Sequence, residues 1–133
     1  MMHVLIVEDD FVSRKLLHRM LSPYGECDIV VDGIEAVEAF KLALEDGHPY
    51  DLVCMDIMMP RMDGQEALGQ IRQLEAQKCV HEMNAAKVVM TTAVDDNKQV
   101  TQAFYKGGAA SYFIKPIDQE KLIAELRVLG LIT

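Results

Sequence analysis

The sequence predicts a doubly wound α/β fold, a five-stranded parallel sheet with five helices. Three observations lead there. Short runs of Val, Ile, Leu and Met alternate with longer stretches of helical period, the pattern of βαβ units. The strand-like runs lack polar alternation, as strands covered on both faces do. At 133 residues, 50% of them hydrophobic, the chain is the size of one domain able to hide ~70% of its unfolded surface. Residues 1–133 therefore read as a single domain, and a two-domain enzyme is excluded.

Met2 to Val7, with His3 its one polar residue, reads as a central strand. Ser13 to Leu21 follows as a helix with Leu16, Leu17 and Met20 on one face, and Pro23-Tyr24-Gly25 stops it. Cys27 to Val31 is the second strand, Asp32-Gly33 a turn, and Ile34 to Glu45 a helix burying Ala36, Val37, Phe40 and Leu44. Gly47 to Pro49 closes it. Asp51 to Asp56 is the third strand and Pro60 to Asp63 a loop. Gly64 to about Lys78 is a helix with Ala67, Leu68, Ile71 and Leu74 on one side.

Cys79 to Ala86 has neither a clean period nor turn chemistry, and fits a helix extension or a surface loop. Lys87 to Thr91 is the fourth strand. Asp95 to Tyr105 is the fourth helix, with acids at the positive end of its dipole and Gly107-Gly108 after its end. Ser111 to Ile114 is the fifth strand. Lys115-Pro116 follow it, and Asp118 caps a fifth helix with Leu122, Ile123, Leu126 and Leu129 facing inward.

Thirteen Lys and Arg against 21 Asp and Glu leave a formal charge of −8. That repels phosphate backbones, so no direct nucleic-acid binding is expected. The apolar runs are far shorter than the ~18 residues of a membrane span, and no signal peptide is recognisable. Cys27, Cys54 and Cys79 are odd in number and scattered, which indicates neither a disulfide framework nor a zinc pair and makes a cytoplasmic location the expectation. Cys27 and Cys54 are expected as buried, inert thiols. His3, His18, His48 and His81 share no ligand spacing and are expected at the surface.

In doubly wound sheets ligands lie beyond the carboxyl ends of the strands. There the sequence delivers Glu8-Asp9-Asp10, then Asp56, Thr91-Thr92 and Lys115. Crowded carboxylates raise one another's pKa unless a cation neutralises them, so Glu8, Asp9 and Asp56 predict a hard divalent ion with oxygen ligands, and Mg²⁺ fits. A mononucleotide or flavin site needs a Gly-rich or hydroxyl-rich first loop, whereas this one is acidic and repels phosphate. A metal, one ammonium and one hydroxyl suit phosphoryl transfer onto a carboxylate, with Asp56 as nucleophile.

The runs Leu5-Ile6-Val7-Glu8-Asp9-Asp10, Asp51-Leu52-Val53-Cys54-Met55-Asp56-Ile57-Met58-Met59-Pro60-Arg61-Met62-Asp63-Gly64, Thr91-Thr92-Ala93 and Lys115-Pro116 closely resemble those of response-regulator receiver domains. The resemblance covers nearly the whole chain, from Met2 to about Leu129, and four motifs in order make it specific. It implies a flavodoxin-like, CheY-like sheet and a role in two-component phosphorelay signalling. By this resemblance Asp56 is the phosphoacceptor and Asp9 the direct metal carboxylate, with Glu8 acting on Mg²⁺ through water and the Met58 carbonyl as a further ligand. Thr92 corresponds to the switch hydroxyl and Tyr112 to the aromatic switch. Lys115 pairs with the phosphate, and the Lys115-Pro116 peptide is expected to be cis. Met58 and Val94 stand where receivers tune dephosphorylation, and both are apolar. Asp10 lies beyond the usual acidic pair and reads as a helix cap or solvated residue.

The implied phosphodonor is a sensor histidine kinase or a histidine phosphotransfer protein. The implied output is a downstream protein target, or a self-dimer, meeting the face made by the fourth helix, fifth strand and fifth helix, where Lys98, Gln102 and Tyr105 are candidate exposed residues. No enzymatic turnover is expected beyond self-catalysed phosphoryl transfer and autodephosphorylation. The long Cys79 to Ala86 segment is similar in length to that of receivers joined to hybrid histidine kinases. The chain reads either as a free-standing receiver, or as a receiver from a hybrid kinase or larger regulator with an output domain outside it. Two other readings are an interaction-only pseudo-receiver and a small hydrolase with Asp56 as nucleophile. The intact motif residues argue against the first, and the lack of any recognisable substrate pocket against the second.

Overall fold

The computed structural model describes residues 1–93 and 108–133. Its elements are β1 (Met2–Val7), α1 (Phe11–Leu21), β2 (Gly25–Val30), α2 (Gly33–Glu45), β3 (Leu52–Asp56), α3 (Gly64–Gln77), a 3-10 turn at Glu82–Asn84, β4 (Lys87–Thr92), β5 (Ser111–Ile114) and α4 (Gln119–Val128). The helix expected from Asp95 to Tyr105 lies outside the described residues, so α4 is the fifth helix of the sequence reading. The strands form one parallel sheet in the order β2-β1-β3-β4-β5.

Residues of β1, β3 and β4 alternate between two cores. Leu5, Val7, Val53, Met55, Val88 and Met90 pack with Phe40 of α2 and Leu68 and Ile71 of α3. Val4, Ile6, Leu52, Cys54 and Val89 pack with Leu17 and Leu21 of α1 and with Leu122 and Leu126 of α4. All six residues of β1 are buried, which is why its sequence carries no polar alternation. Each large aliphatic side chain taken from water contributes roughly 1.5–3 kcal/mol.

All four described α-helices open on an aspartate. Asp10, Asp32, Asp63 and Asp118 accept from the backbone N–H groups of Ser13, Glu35, Glu66 and Lys121, a contribution of ~1 kcal/mol each. With Asp10 as cap, α1 starts at Phe11 rather than Ser13, and its inward face is Leu17, Met20 and Leu21. Leu16, expected inside, is 39% exposed, because it flanks that face instead of sharing it. Strand β2 begins earlier than expected, at Gly25. A Cβ there would stand 2.3 Å from the Met2 carbonyl oxygen, and glycine allows the Met2–Gly25 pairing.

Cys79 takes a left-handed conformation, φ 55°, and ends α3. The segment up to Ala86 is then a loop with a single 3-10 turn, anchored by a buried glutamate. Glu75 accepts from the Arg72 guanidinium at 2.7 Å and from the Ala86 N–H at 2.8 Å, while Arg72 also donates to the carbonyls of Ala86 and Gly108.

The histidine expectation fails at one position. His18, His48 and His81 are exposed, but His3 is 6% exposed, since its backbone lies in the central strand. Cys54 is fully buried, and burial pushes its thiol up to about 12. Cys27 is half-buried and Cys79 exposed. Among the described residues, no helix is long and apolar enough to cross a membrane.

Candidate functional site

The strand order reverses between β1 and β3, and the sequence leaves both strands on acids. Glu8 follows β1 and its N–H donates to the Val30 carbonyl. Asp56 ends β3 opposite Thr91, and the next N–H, of Ile57, donates to the Thr91 carbonyl at 2.9 Å. On the other side of β4, the Lys115 N–H donates to the Thr92 carbonyl at 2.7 Å. Parallel register thus carries residues from distant parts of the chain to one rim.

There the Lys115 ammonium lies 2.5 Å from Glu8 Oε1 and 2.8 Å from Asp56 Oδ2. The other oxygens are held by backbone: Asp56 Oδ1 accepts from the Met58 N–H and Glu8 Oε2 from the Asp10 N–H, each at 3.0 Å. Asp9 is exposed beside them, and carboxylate oxygens of Glu8, Asp9 and Asp56 lie within 4.8 Å of one another. Three carboxylates against one ammonium leave a formal excess of two negative charges.

Burial pushes the Glu8 carboxyl up to about 7; the Asp56 charge adds to this, and the Lys115 and Asp10 contacts offset part of it. Burial disfavours the Lys115 ammonium, but contacts with Asp56 and Glu8 prevail and raise its pKa. A hard dication with oxygen ligands fits this donor set, because it removes the repulsion that the lysine leaves uncompensated.

Thr92, 3% exposed, closes β4 one residue beyond Thr91, the register partner of Asp56. Thr91, 1% exposed, has a hydroxyl with no hydrogen-bond partner among the described residues. Tyr112 sits on β5, 37% exposed, and the Lys115-Pro116 peptide is cis. The structure therefore brings together Glu8, Asp9, Asp56, the Met58 backbone, Thr92 and Lys115. Asp10 stands apart as the cap of α1, its carboxyl held below the usual range by the Ser13 N–H. Val94, Lys98, Gln102 and Tyr105 lie outside the described residues.

One contact escaped sequence reasoning. Arg61, left-handed at φ 65°, places its guanidinium on the buried carboxylate of Asp32, and the Gly33 N–H donates to the Met62 carbonyl at 3.3 Å. Together they tie the loop after Asp56 to the start of α2. Asp32-Gly33 signals a turn, but no spacing links it to Arg61.

A family model, the response regulator receiver domain, matches residues 4–127. The chain belongs to this family. The receiver is 37% identical over 125 residues to the chemotaxis protein CheY of Treponema pallidum (strain Nichols), covering 92% of this chain and 78% of that protein. It is 32% identical over 132 residues to probable histidine kinase 2 of Oryza sativa subsp. indica, covering 92% of this chain but only 12% of the kinase. Among solved structures, it is similar to a chain of the CheX–CheY–BeF3–Mg²⁺ complex from Borrelia burgdorferi, with a TM-score of 0.81 and 27% identity, covering 97% of this chain and 89% of that one. Receivers of this kind thus occur in proteins of very different length.

Proposed function

We propose that this receiver accepts a phosphoryl group on Asp56 from a sensor histidine kinase or a histidine phosphotransfer protein, and that the modification switches a protein-binding surface. The observation that carries the reading is the single ammonium of Lys115 spanning buried Glu8 and Asp56 where the strand order reverses. Mg²⁺ held by Asp9, Asp56 and the Met58 carbonyl, with Glu8 acting through water, would neutralise charge on the phosphoryl oxygens.

An Asp56 carboxylate oxygen attacks phosphorus. The P–N bond of the phosphohistidine breaks as the P–O bond forms, and its electron pair leaves with the imidazole. The Met58 N–H orients Asp56 from one side and Lys115 from the other, so little reorganisation is required. Lys115 then follows the charge onto a phosphoryl oxygen, Thr92 turns its hydroxyl toward another, and Tyr112 moves inward behind it. The responding face is that of β5 and α4, where a downstream protein or a second copy of the chain docks. The receiver acts once per phosphoryl group instead of turning over a substrate. Its free thiols suit the reducing cytoplasm.

Intact mass after incubation with acetyl phosphate tests the reading. Gain of one phosphate, dependent on Mg²⁺ and lost in Asp56→Asn, is expected. Equal labelling of the variant refutes it.

A further inference from the structure

We propose that His3, Glu26 and His48 form a second metal site, for a transition-metal dication of the Zn²⁺ class, at the opposite end of the sheet from Asp56. His3 and Glu26 are register partners on β1 and β2, and His48 comes from the loop between α2 and β3. One donor atom from each lies within 4.8 Å of the others. Donors bound to one Zn²⁺ at ~2.0–2.2 Å stand up to about 4 Å apart, so a small inward movement completes the set.

The buried ring is already oriented as a ligand. His3 Nδ1 is 3.0 Å from the His48 carbonyl oxygen and 3.3 Å from that of Pro49. Both are acceptors, so Nδ1 carries a proton, and Nε2 is the nitrogen that a metal ion can take in place of a proton. A carbonyl on Nδ1–H fixing Nε2 for coordination is how proteins commonly hold metal-binding imidazoles.

A second observation points the same way. Nε2 faces Asp28 Oδ2 at 3.0 Å, an oxygen that also accepts from the Tyr50 hydroxyl at 2.7 Å. A lone pair facing a carboxylate is repulsive until a cation, metal ion or proton, occupies Nε2.

His48 completes the set by moving. Its ring stacks on His3 with centroids 4.0 Å apart, and a metal–nitrogen bond lies in the plane of the ring, so coordination swings His48 off the stack. It is free to do so, 63% exposed on the loop after Gly47, with Nε2 3.8 Å from Glu26 Oε2. Asp28 and Asp46 border the same groove and add negative charge. Two imidazoles with carboxylate favour Zn²⁺, Co²⁺, Ni²⁺ or Cu²⁺ over Mg²⁺. Glu8 lies five residue steps beyond His3 along β1, roughly 16 Å at ~3.3 Å per step, so the two sites are separate.

Calorimetric titration of the full chain with ZnCl2, in excess Mg²⁺, tests this. One Zn²⁺ per chain is expected, with affinity falling roughly tenfold or more in His48→Ala and in Glu26→Gln. Both residues are exposed, so neither change endangers the fold. Co²⁺ should give visible absorption without a thiolate charge-transfer band, unchanged in Cys79→Ser. Absence of binding at tens of micromolar Zn²⁺, equal affinity in both variants, or a thiolate band overturns the proposal.

Discussion

A Cβ on Gly64 would stand 2.4 Å from the carbonyl oxygen of Asp56. Helix α3 therefore begins in contact with the end of β3, and the Gly64 N–H donates back to the Ile57 carbonyl at 2.8 Å. Gly64→Ala must displace either α3 or the Asp56 backbone. A loss of roughly 1–3 kcal/mol in urea unfolding is expected, with slower labelling by acetyl phosphate. Unchanged stability and rate would show that the contact relaxes freely.

Asp56→Asn should abolish Mg²⁺-dependent phosphorylation, and Asp9→Ala should nearly do so, since the ion loses an anionic anchor. Circular dichroism should remain that of the folded chain in both, because neither residue packs in a core. Mass spectrometry reads the first effect; residual labelling of Asp9→Ala near the original level counts against its role.

Glu8 makes stability fall with pH. Its carboxyl ionises near its ordinary 4.5 in the unfolded chain but near 7 in the fold, chiefly through burial. Between those values the folded chain retains a proton that the unfolded chain has released, so stability decreases as pH rises across the window. Urea midpoints measured without metal should decline from pH 4.5 to 7, and Glu8→Gln should flatten the decline. An identical slope in the variant assigns it to other groups.

Arg72→Met should cost about 2–3 kcal/mol, because buried Glu75 loses its cation and the carbonyls of Ala86 and Gly108 lose a donor. Glu75→Gln, which keeps an acceptor for the Ala86 N–H, should cost less. Chemical denaturation of both variants gives the order; a reversed order would place the energy in the Ala86 contact.

Hydrolysis of phospho-Asp56 requires a water in line with phosphorus, and neither Met58 nor Val94 can orient one. The phosphorylated form should be long-lived, with faster phosphate release in Met58→Asn or Val94→Glu. Met58 is 64% exposed, so its replacement should leave the fold intact. If the original chain releases phosphate as fast as both variants, water positioning by these residues does not limit the step.

Elements and rim acids were legible because local chemistry writes them. Apolar runs make the strands, Asp118 caps the last helix, and acids stand at the ends of β1 and β3. Contacts set by tertiary geometry were not legible. Leu16 and Leu21 differ only in angle around α1, which depends on where the sheet lies. Glu75 has the appearance of an ordinary solvated helix acid, yet it is buried because the chain returns over it at Ala86. His3 is a polar residue whose burial depends on the rings of His48 and Tyr50, which stack on it from a distant part of the chain. Arg61 and Asp32 meet across 29 positions, a distance no motif spans.

The order in which the chain is made differs from the order of the strands in the sheet. Strand β1 is the first made, yet it lies inside the sheet, with β2 on one side and β3 on the other. During synthesis it can pair with β2 early, but its second edge stays open until Leu52–Asp56 has been added. For that interval an apolar strand has unsatisfied backbone on one side, the condition under which chains associate edge to edge. Slow translation between residues 31 and 51 should therefore reduce the soluble yield more than an equal delay after Asp56.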